Sequence, residues 1–206
     1  MANTYTLKID IQTYWHAGTG RGRSYEIDSV VHRDRDGLPA LPGRSVKGLL
    51  RDAVAGAAAL NWYGNDRADI VTRLFGPLGV EGAETHEGWL KVSDATLPAD
   101  IRGEIKAKPA LRANLFTNLF STAIKHERGS AADKTLRGTE VAVPMTLFAS
   151  ITIDPNANLH AEKADAVASK DALAWLTNAL PLARGLGSHR HRGMGRATFT
   201  ISEVTK

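Results

Sequence analysis

Alternating apolar segments and two amphipathic helical segments, taken in their order along the chain, predict an α+β fold. That order is strand, helix, strand, long excursion, strand, helix, strand, which is typical of a ferredoxin-like or RNA-recognition-motif-like domain. A chain of 206 residues is long enough for one domain to bury its own core. We therefore predict a single domain over 1–206 with two insertions, one lid-like at 60–88 and one thumb-like at 100–145.

The first half of the chain contains one strand and one helix with clear periods. Apolar and polar residues alternate over 5–11, which predicts a half-buried strand. Residues 16–44 are polar and rich in Gly, Arg and Asp, so a loop is expected there. Apolar residues then recur at helical spacing from Val46 to Ala58, and Ser45 is the expected N-cap of this helix.

The second half repeats this pattern after two stretches without a clear period. A strand is expected around Trp89 to Val92, and the basic excursion over 100–145 is interrupted by glycines and is expected to project. Alternation returns over 147–153, helical spacing over 164–180, and a closing strand is expected at 197–201.

Composition excludes several classes of protein. The chain has no cysteine, which excludes disulfides, thiolate nucleophiles, iron–sulfur clusters and cysteine-based zinc sites, and which suits a reducing cytoplasm. No run of residues approaches the ~20 apolar residues of a membrane span, and no signal peptide is visible. We therefore expect a cytoplasmic protein without a membrane partner.

Positive charge is concentrated near the end of the chain. The net charge is only +4, yet the segment from Pro181 to Arg196 holds four arginines, two histidines and no acid. A local basic excess favours a dedicated surface for anions. The glycines at 18, 20 and 22 and those at 185 and 187 lack the spacing of a dinucleotide fingerprint, and no P-loop is present.

Two stretches together carry a resemblance to a known family. The first runs from His16 to Arg23, passes Asp28, and ends in the element Leu-Pro-Gly-Arg-Ser-Val-Lys-Gly-Leu-Leu-Arg at 41–51. The second is the glycine- and arginine-rich loop at 185–196. The pair resembles the repeat-associated mysterious protein (RAMP) superfamily of CRISPR systems, and within it the backbone subunit of type III effector complexes. The resemblance continues through 122–125, 129–131 and 136–140.

Elementary chemistry gives both stretches a use. The N-terminal N–H groups and dipole of a helix attract phosphate, and Gly43 and Gly48 allow close approach around Ser45. Lys47 and Arg51 lie one turn apart, away from the apolar stripe, where both can reach a polyanion. The alternative is a plain capped helix with solvated basic side chains. The late loop can bind phosphate in the same way or serve only as a tight connection.

The resemblance implies that the chain lines up with copies of itself and with other CRISPR effector subunits along a guide RNA that pairs with a target RNA. It implies a thumb within 101–143 that wedges into the guide–target duplex. The residues expected to bind RNA are His16, Arg21, Arg23, Gly43, Ser45, Lys47, Arg51, Lys125, Arg137, Gly187, Arg190, His191 and Arg192.

Asp28 is the expected catalytic residue, because it lies where the cleaving members of the family carry a loop aspartate. A carboxylate there can hold a divalent ion, expected to be Mg²⁺, or accept the 2′-hydroxyl proton during in-line attack on the adjacent phosphate. The resemblance thus implies a metal-dependent endoribonuclease that acts within a complex. The alternative is an aspartate that makes a turn or pairs with Arg23 or Arg33. Asp34 and Asp36 are interpreted as structural.

Two other functions remain open at this point. In the first, the chain is a scaffold or end subunit of the same complexes and binds RNA without cutting it. Alternatively it is a stand-alone, metal-independent ribonuclease that matures guide RNA with His16, His189 or His191.

Overall fold

The computed structural model describes residues 2–23, 27–64, 69–77, 87–155 and 166–203, with side chains from 171 onward in the last range. The strands in these ranges are β1 (Asn3–Ile11), β2 (Leu90–Val92), β3 (Phe116–Ser121), β4 (Arg137–Ala142), β5 (Met145–Ile153) and β6 (Ala197–Glu203). The α-helices are α1 (Gly43–Ala59), α2 (Ile70–Phe75), α3 (Ala99–Ala107) and α4 (Ala166–Ala179). Short 3-10 helices occupy Pro109–Leu115, Leu180–Leu182 and Arg190–Arg192. The predicted α+β class with antiparallel strands is confirmed.

The main sheet has four strands in the order β2-β5-β1-β6, and every neighbouring pair is antiparallel. Strand β1 lies inside the sheet, with Leu7 opposite Ala149 of β5 and Ile201 of β6. Because side chains alternate along a strand, this register places the apolar residues of all three strands on one face. That face is buried, as the alternation over 5–11 and 147–153 predicts.

Helix α1 covers part of this core. Its residues Val46, Leu50, Val54 and Ala57 recur at helical spacing, are almost fully buried, and belong to the same apolar cluster as β1 and β5. The helix contacts α4, α2 and β2. None of the helices in the described ranges is long and apolar enough to cross a membrane.

The N-terminus of α1 differs from the prediction that Ser45 is the N-cap. The helix begins at Gly43 with Pro42 in the N-cap position, and the N–H groups of Ser45 and Val46 donate to the Pro42 carbonyl. The prediction is wrong because the cap comes from another element. The Asp94 carboxylate accepts the Gly43 N–H at 2.7 Å, next to the end of β2.

Both predicted insertions contain regular structure that the sequence period did not reveal. Helix α2 lies within 60–88 and buries Ile70 and Leu74, but six residues are too few for a helical period to show. Residues 65–68 and 78–86 of that insertion, and Ala164 of the predicted second helix, lie outside the described residues. The excursion over 100–145 begins with α3 and a 3-10 helix and continues as the hairpin β3–β4, a separate two-stranded sheet.

Replacement by alanine is expected to change stability in opposite directions at two glycines of α1. A Cβ on Gly43 would lie 2.4 Å from the Val92 carbonyl oxygen, whereas a Cβ on Gly48 would meet nothing within 4 Å. Gly43→Ala therefore lowers the free energy of unfolding by about 1–3 kcal/mol, and Gly48→Ala raises it by about 0.5–1 kcal/mol. Urea denaturation of both variants checks this, and equal effects of the two would contradict the packing described here.

Candidate nucleic-acid interface

A cleft of about 880 Å³ lies between three parts of the chain, two near its beginning and one near residue 190. Its walls are the segments 16–23 and 30–33, the N-terminal half of α1, and residues 187–190. Five arginines line it: Arg21, Arg23, Arg33, Arg44 and Arg190. A concave surface with this many guanidinium groups suits a polyanion, because arginine binds phosphate through paired donors.

The first wall is a two-armed ribbon, 17–23 and 27–32, within the stretch predicted to be loop. The N–H groups of Thr19 and Arg23 donate to the carbonyls of Val30 and Ile27, and that of His32 donates to Ala17. These bonds fix the course of the backbone and hold Arg21 and Arg23 on one arm. The other arm carries Asp28.

The glycine-rich loop closes the cleft by packing directly on the first wall. Gly187 adopts a φ of +74°, and a Cβ there would lie 2.4 Å from the His16 carbonyl oxygen. The next N–H, that of Ser188, donates to this oxygen at 2.8 Å. Gly187 thus permits a close approach of two backbones, which places Arg190 opposite the N-terminal segment.

The Glu140 side chain holds the first wall of the cleft in place. The residue belongs to β4 and is only 4% exposed. One carboxylate oxygen accepts a bond from Arg33 at 2.7 Å and lies 3.9 Å from Arg23, and the other accepts the Val31 N–H at 3.1 Å. The Arg33 guanidinium also stacks over the Phe116 ring at 3.8 Å. A buried carboxylate needs such partners.

His16 lines the cleft but is 2% exposed. Its Nδ1 is 2.6 Å from the Glu140 carbonyl oxygen and its Nε2 is 2.8 Å from the Ser29 hydroxyl. Both ring nitrogens are therefore engaged within the protein. This arrangement favours a positioning role over direct contact with RNA, and it leaves neither nitrogen free for general acid or base catalysis.

Helix α1 separates residues that the sequence analysis had grouped together. Ser45, Gly48 and Asp52 line the cleft. Lys47 instead lines a second depression beside Phe75 and Lys91. Burial lowers the pKa of its amine, an effect that the Glu87 carboxylate opposes in part. The Arg51 guanidinium donates to the Gly76 carbonyl at 3.1 Å.

Gly43, the buried first residue of α1, does not line the cleft. Its N–H donates to the Asp94 carboxylate and is not available to a phosphate. The expected contact of Gly43 with RNA stays a prediction.

Asp28 lies where the ribbon meets the hairpin. Its backbone N–H donates to the Gly138 carbonyl, and its Oδ2 accepts the Gly138 N–H at 2.9 Å. The residue is exposed, and its Oδ1 has no hydrogen-bond partner among the described residues. Arg23 and Arg33, the alternative partners considered from the sequence, pair with Glu140 instead. The structural interpretation of Asp34 and Asp36 is confirmed, since both pair with Arg102.

The remaining predicted contact residues lie outside the cleft. Lys125, near the tip of the hairpin, is 3.6 Å from Asp133, and Arg137 begins β4 next to Gly138. His191 and Arg192 belong to the exposed 3-10 turn after His189, and His191 lines an adjoining depression. The cleft thus assembles His16, Arg21, Arg23, Ser45, Gly187 and Arg190 from the predicted set.

Sequence reasoning did not place Asp52, Arg33, Arg44 or Glu140 at this site, and it considered Gly48 only for close approach around Ser45. Gly48 and Asp52 share a helical face with Ser45, so the period of α1 alone separates them from Lys47 and Arg51. Arg33 and Glu140 carried no such signal, because their pairing joins positions that only the fold brings together.

Comparison with known proteins gives the family of this chain. The family model described as the RAMP superfamily matches residues 8–198. The chain belongs to the RAMP superfamily. It is 31% identical over 206 residues to the "CRISPR system Cms endoribonuclease Csm3" of Enterococcus italicus, covering 96% of this chain and 89% of that protein. The resemblance noted in the sequence is confirmed.

Solved structures match this RAMP chain over most of its length. One is a subunit in the cryo-EM structure of the type III-B Cmr-beta bound to cognate target RNA, with a TM-score of 0.66, 14% identity and coverage of 96% of each chain. Another comes from the apo state of type III-B Cmr-beta, with a TM-score of 0.63, 12% identity and coverage of 97% of each chain. At these identities the likeness concerns the fold.

The Glu140 network predicts a large loss of stability from a single substitution. Glu140→Ala leaves the Arg33 guanidinium and the Val31 N–H without their acceptor, so we expect the free energy of unfolding to fall by about 3 kcal/mol. The free energy of unfolding falls less in Glu140→Gln, because this variant retains an acceptor for the Val31 N–H.

Arg23→Ala serves as the control, because its side chain is 70% exposed and its ion pair is long. It changes stability by less than about 1 kcal/mol. Urea denaturation gives all three values, and a Glu140→Ala variant as stable as the control would contradict the anchoring role.

Proposed function

We propose that this chain is a guide-RNA-binding backbone subunit of a type III CRISPR effector that forms a filament on the guide RNA and cleaves complementary target RNA. Its partners are the guide RNA, the target RNA, copies of itself and other effector subunits. The observation that carries the proposal is the arginine-lined cleft built from both ends of a RAMP chain. The relative named as an endoribonuclease supports the cleavage step. A cytoplasmic location stays a prediction.

The strand order supports a finer description of the fold. Helix α1 connects β1 to β2, α4 connects β5 to β6, and the sheet order β2-β5-β1-β6 is that of a ferredoxin-like or RNA-recognition-motif-like domain. We propose one such domain over 1–206, with 60–88 and 100–145 as insertions. The hairpin in the second insertion exposes Phe120, Ile124 and Leu136, which are apolar side chains of the kind that can wedge between base steps.

Asp28 is the proposed catalytic residue. Its Oδ1 accepts the proton of a target 2′-hydroxyl while the 2′-oxygen attacks the adjacent phosphorus and the bond to the 5′-oxygen breaks. The leaving 5′-oxygen takes a proton from solvent water. The products are a 2′,3′-cyclic phosphate and a 5′-hydroxyl. The bonds between Asp28 and Gly138 position this carboxylate at the base of the hairpin.

The residues at this site fit a magnesium ion only with help from the RNA. Among the described residues, no group of three or more His, Cys, Asp or Glu side chains could hold a metal. Mg²⁺ needs as few as one carboxylate when substrate phosphates and waters supply its other ligands. As the alternative to accepting the proton, Asp28 would hold the ion through Oδ1, and the bound ion would neutralise charge on the phosphate.

One observation favours a second candidate, the scaffold that binds RNA without cutting it. The Asp28 Oδ2 already accepts a backbone N–H, which is the contact that a purely structural turn residue makes. The stand-alone processing nuclease has less support, because both ring nitrogens of His16 are bonded within the protein. Of the three candidate histidines, His189 and His191 are exposed and retain the accessibility that its mechanism needs.

Target cleavage by the assembled, guide-loaded complex tests the catalytic assignment. We expect regularly spaced cuts in the target RNA with magnesium, their loss on addition of a chelator, and a loss of at least about 100-fold in rate in Asp28→Ala, the range of a general base. Target binding stays unchanged, because Asp28 does not line the arginine-rich cleft and its backbone N–H still bonds to the Gly138 carbonyl in the variant.

Asp100→Ala, which removes an exposed carboxylate of α3, is the matched control and cuts like wild type. Full cutting by Asp28→Ala would contradict the assignment. Tight binding without cutting by wild type would favour the scaffold, and chelator-insensitive cutting of repeat RNA would favour the processing nuclease.

Two arginine variants test whether the cleft is the RNA-binding surface. Arg190→Ala removes a guanidinium from the cleft, so RNA binding weakens and the slope of log affinity against log salt falls by about 1. Arg51→Ala leaves the slope unchanged, because Arg51 bonds to Gly76 outside the cleft. Fluorescence anisotropy at several salt concentrations gives both slopes, and the reverse order would move the site to the other side of α1.

A further inference from the structure

Asp52 is an anomaly in the cleft. Five arginines line this surface, and Asp52 is the only acid among the described residues that do. A carboxylate repels the phosphates that the arginines attract, so it lowers the affinity for any nucleic acid unless it gains a bond of its own.

No side chain in the described part of the chain pairs with the Asp52 carboxylate. Asp52 is exposed, and no ion pair or hydrogen bond joins its side chain to another described residue. Its own helix offers no cation either, since the positions one turn away in each direction are Gly48, Leu49, Ala55 and Gly56. Its charge is therefore available to a ligand.

Gly48 gives a ligand access to it. This glycine lies in the interior of α1, where glycine costs helix stability, and a Cβ there would meet nothing within 4 Å. No packing inside the protein explains the missing side chain. A bare helix surface one turn before Asp52 lets a sugar–phosphate strand lie directly against α1.

Asp52 also lies on the path that a nucleic-acid strand would follow out of the cleft. Asp52, Leu49 and Arg190 line both the cleft and the adjoining depression that contains Arg184 and Arg196. A strand bound by the arginines of the cleft and continuing into this depression must pass Asp52.

An ionised carboxylate only accepts hydrogen bonds. The backbone of RNA offers one donor per nucleotide, the 2′-hydroxyl, whereas the backbone of DNA offers none. We propose that Asp52 is a specificity-determining residue, which accepts a hydrogen bond from a ribose 2′-hydroxyl and so makes the cleft prefer RNA to DNA. The inference rests on the proposed function, because it requires an RNA strand in the cleft.

The test compares the full chain with oligonucleotides of one sequence as RNA, 2′-fluoro RNA and DNA. The 2′-fluoro sugar keeps the pucker of RNA but has no hydrogen to donate. We expect wild type to bind RNA about tenfold more tightly than 2′-fluoro RNA, and Asp52→Ala to bind both equally. Asp52→Asn, which retains a neutral acceptor, keeps part of the difference.

Glu203→Ala is the control for charge, since it removes an exposed carboxylate at the end of β6, away from the cleft, and leaves the wild-type ratio. Equal binding of RNA and 2′-fluoro RNA by wild type would overturn the inference. So would Asp52→Ala if it strengthened binding to all three oligonucleotides by one factor, because Asp52 would then be a repulsive charge only.

The two proposals fail in different ways. Wild type that binds no RNA would overturn the proposed function and this inference with it. Wild type that binds RNA with a ratio unaffected by Asp52→Ala would overturn this inference alone.

Discussion

The carboxylate of Glu140 joins the hairpin to the wall of the cleft, and the arrangement of both depends on that contact. Burying a carboxylate is costly, and the cost is offset here by Arg33, by the Val31 N–H and by the neighbouring backbone bonds of the same strand. The backbone of β4 extends the connection, because the Glu140 N–H and carbonyl bond to Ser29 and His16, and Gly138 bonds to Asp28. The base of the hairpin, the proposed catalytic carboxylate and the arginine-bearing ribbon therefore form one unit.

Local sequence period predicted the elements of the main sheet and its helices, and it failed where structure is short or capped from a distance. Alternation over 5–11 and 147–153 predicts that one face of each strand is buried. This is a local property of the sequence, and the register of the sheet only aligns the two faces. The start of α1 is different, because the residue that satisfies the Gly43 N–H is Asp94, which belongs to another part of the chain. Helix α2 and the hairpin likewise owe their form to packing and pairing that no short window of sequence contains.

The sequence predicted the residue types of the candidate site better than it predicted which of those residues lie together. Glycines and arginines in two motifs pointed to an anion surface, and the fold brings Arg21, Arg23 and Arg190 to one cleft. Motif membership grouped residues that lie on two sides of α1, since neighbours in a motif point in different directions around a helix. Gly187 has a structural role that its motif did not indicate. Its backbone packs against His16 at a distance that only glycine allows, so this glycine of the expected phosphate-binding loop also connects two walls of the cleft.

Strand β1 is made first but lies between the two strands that are made last. Its partners begin at Met145 and Ala197, and residues 187–190 of the cleft also come near the end of the chain. During translation β1 therefore leaves the ribosome with both edges unpaired, a state that invites association with other strands. A chain whose synthesis has not passed residue 190 cannot present the complete cleft, so a ligand that binds there selects for copies synthesised beyond that point.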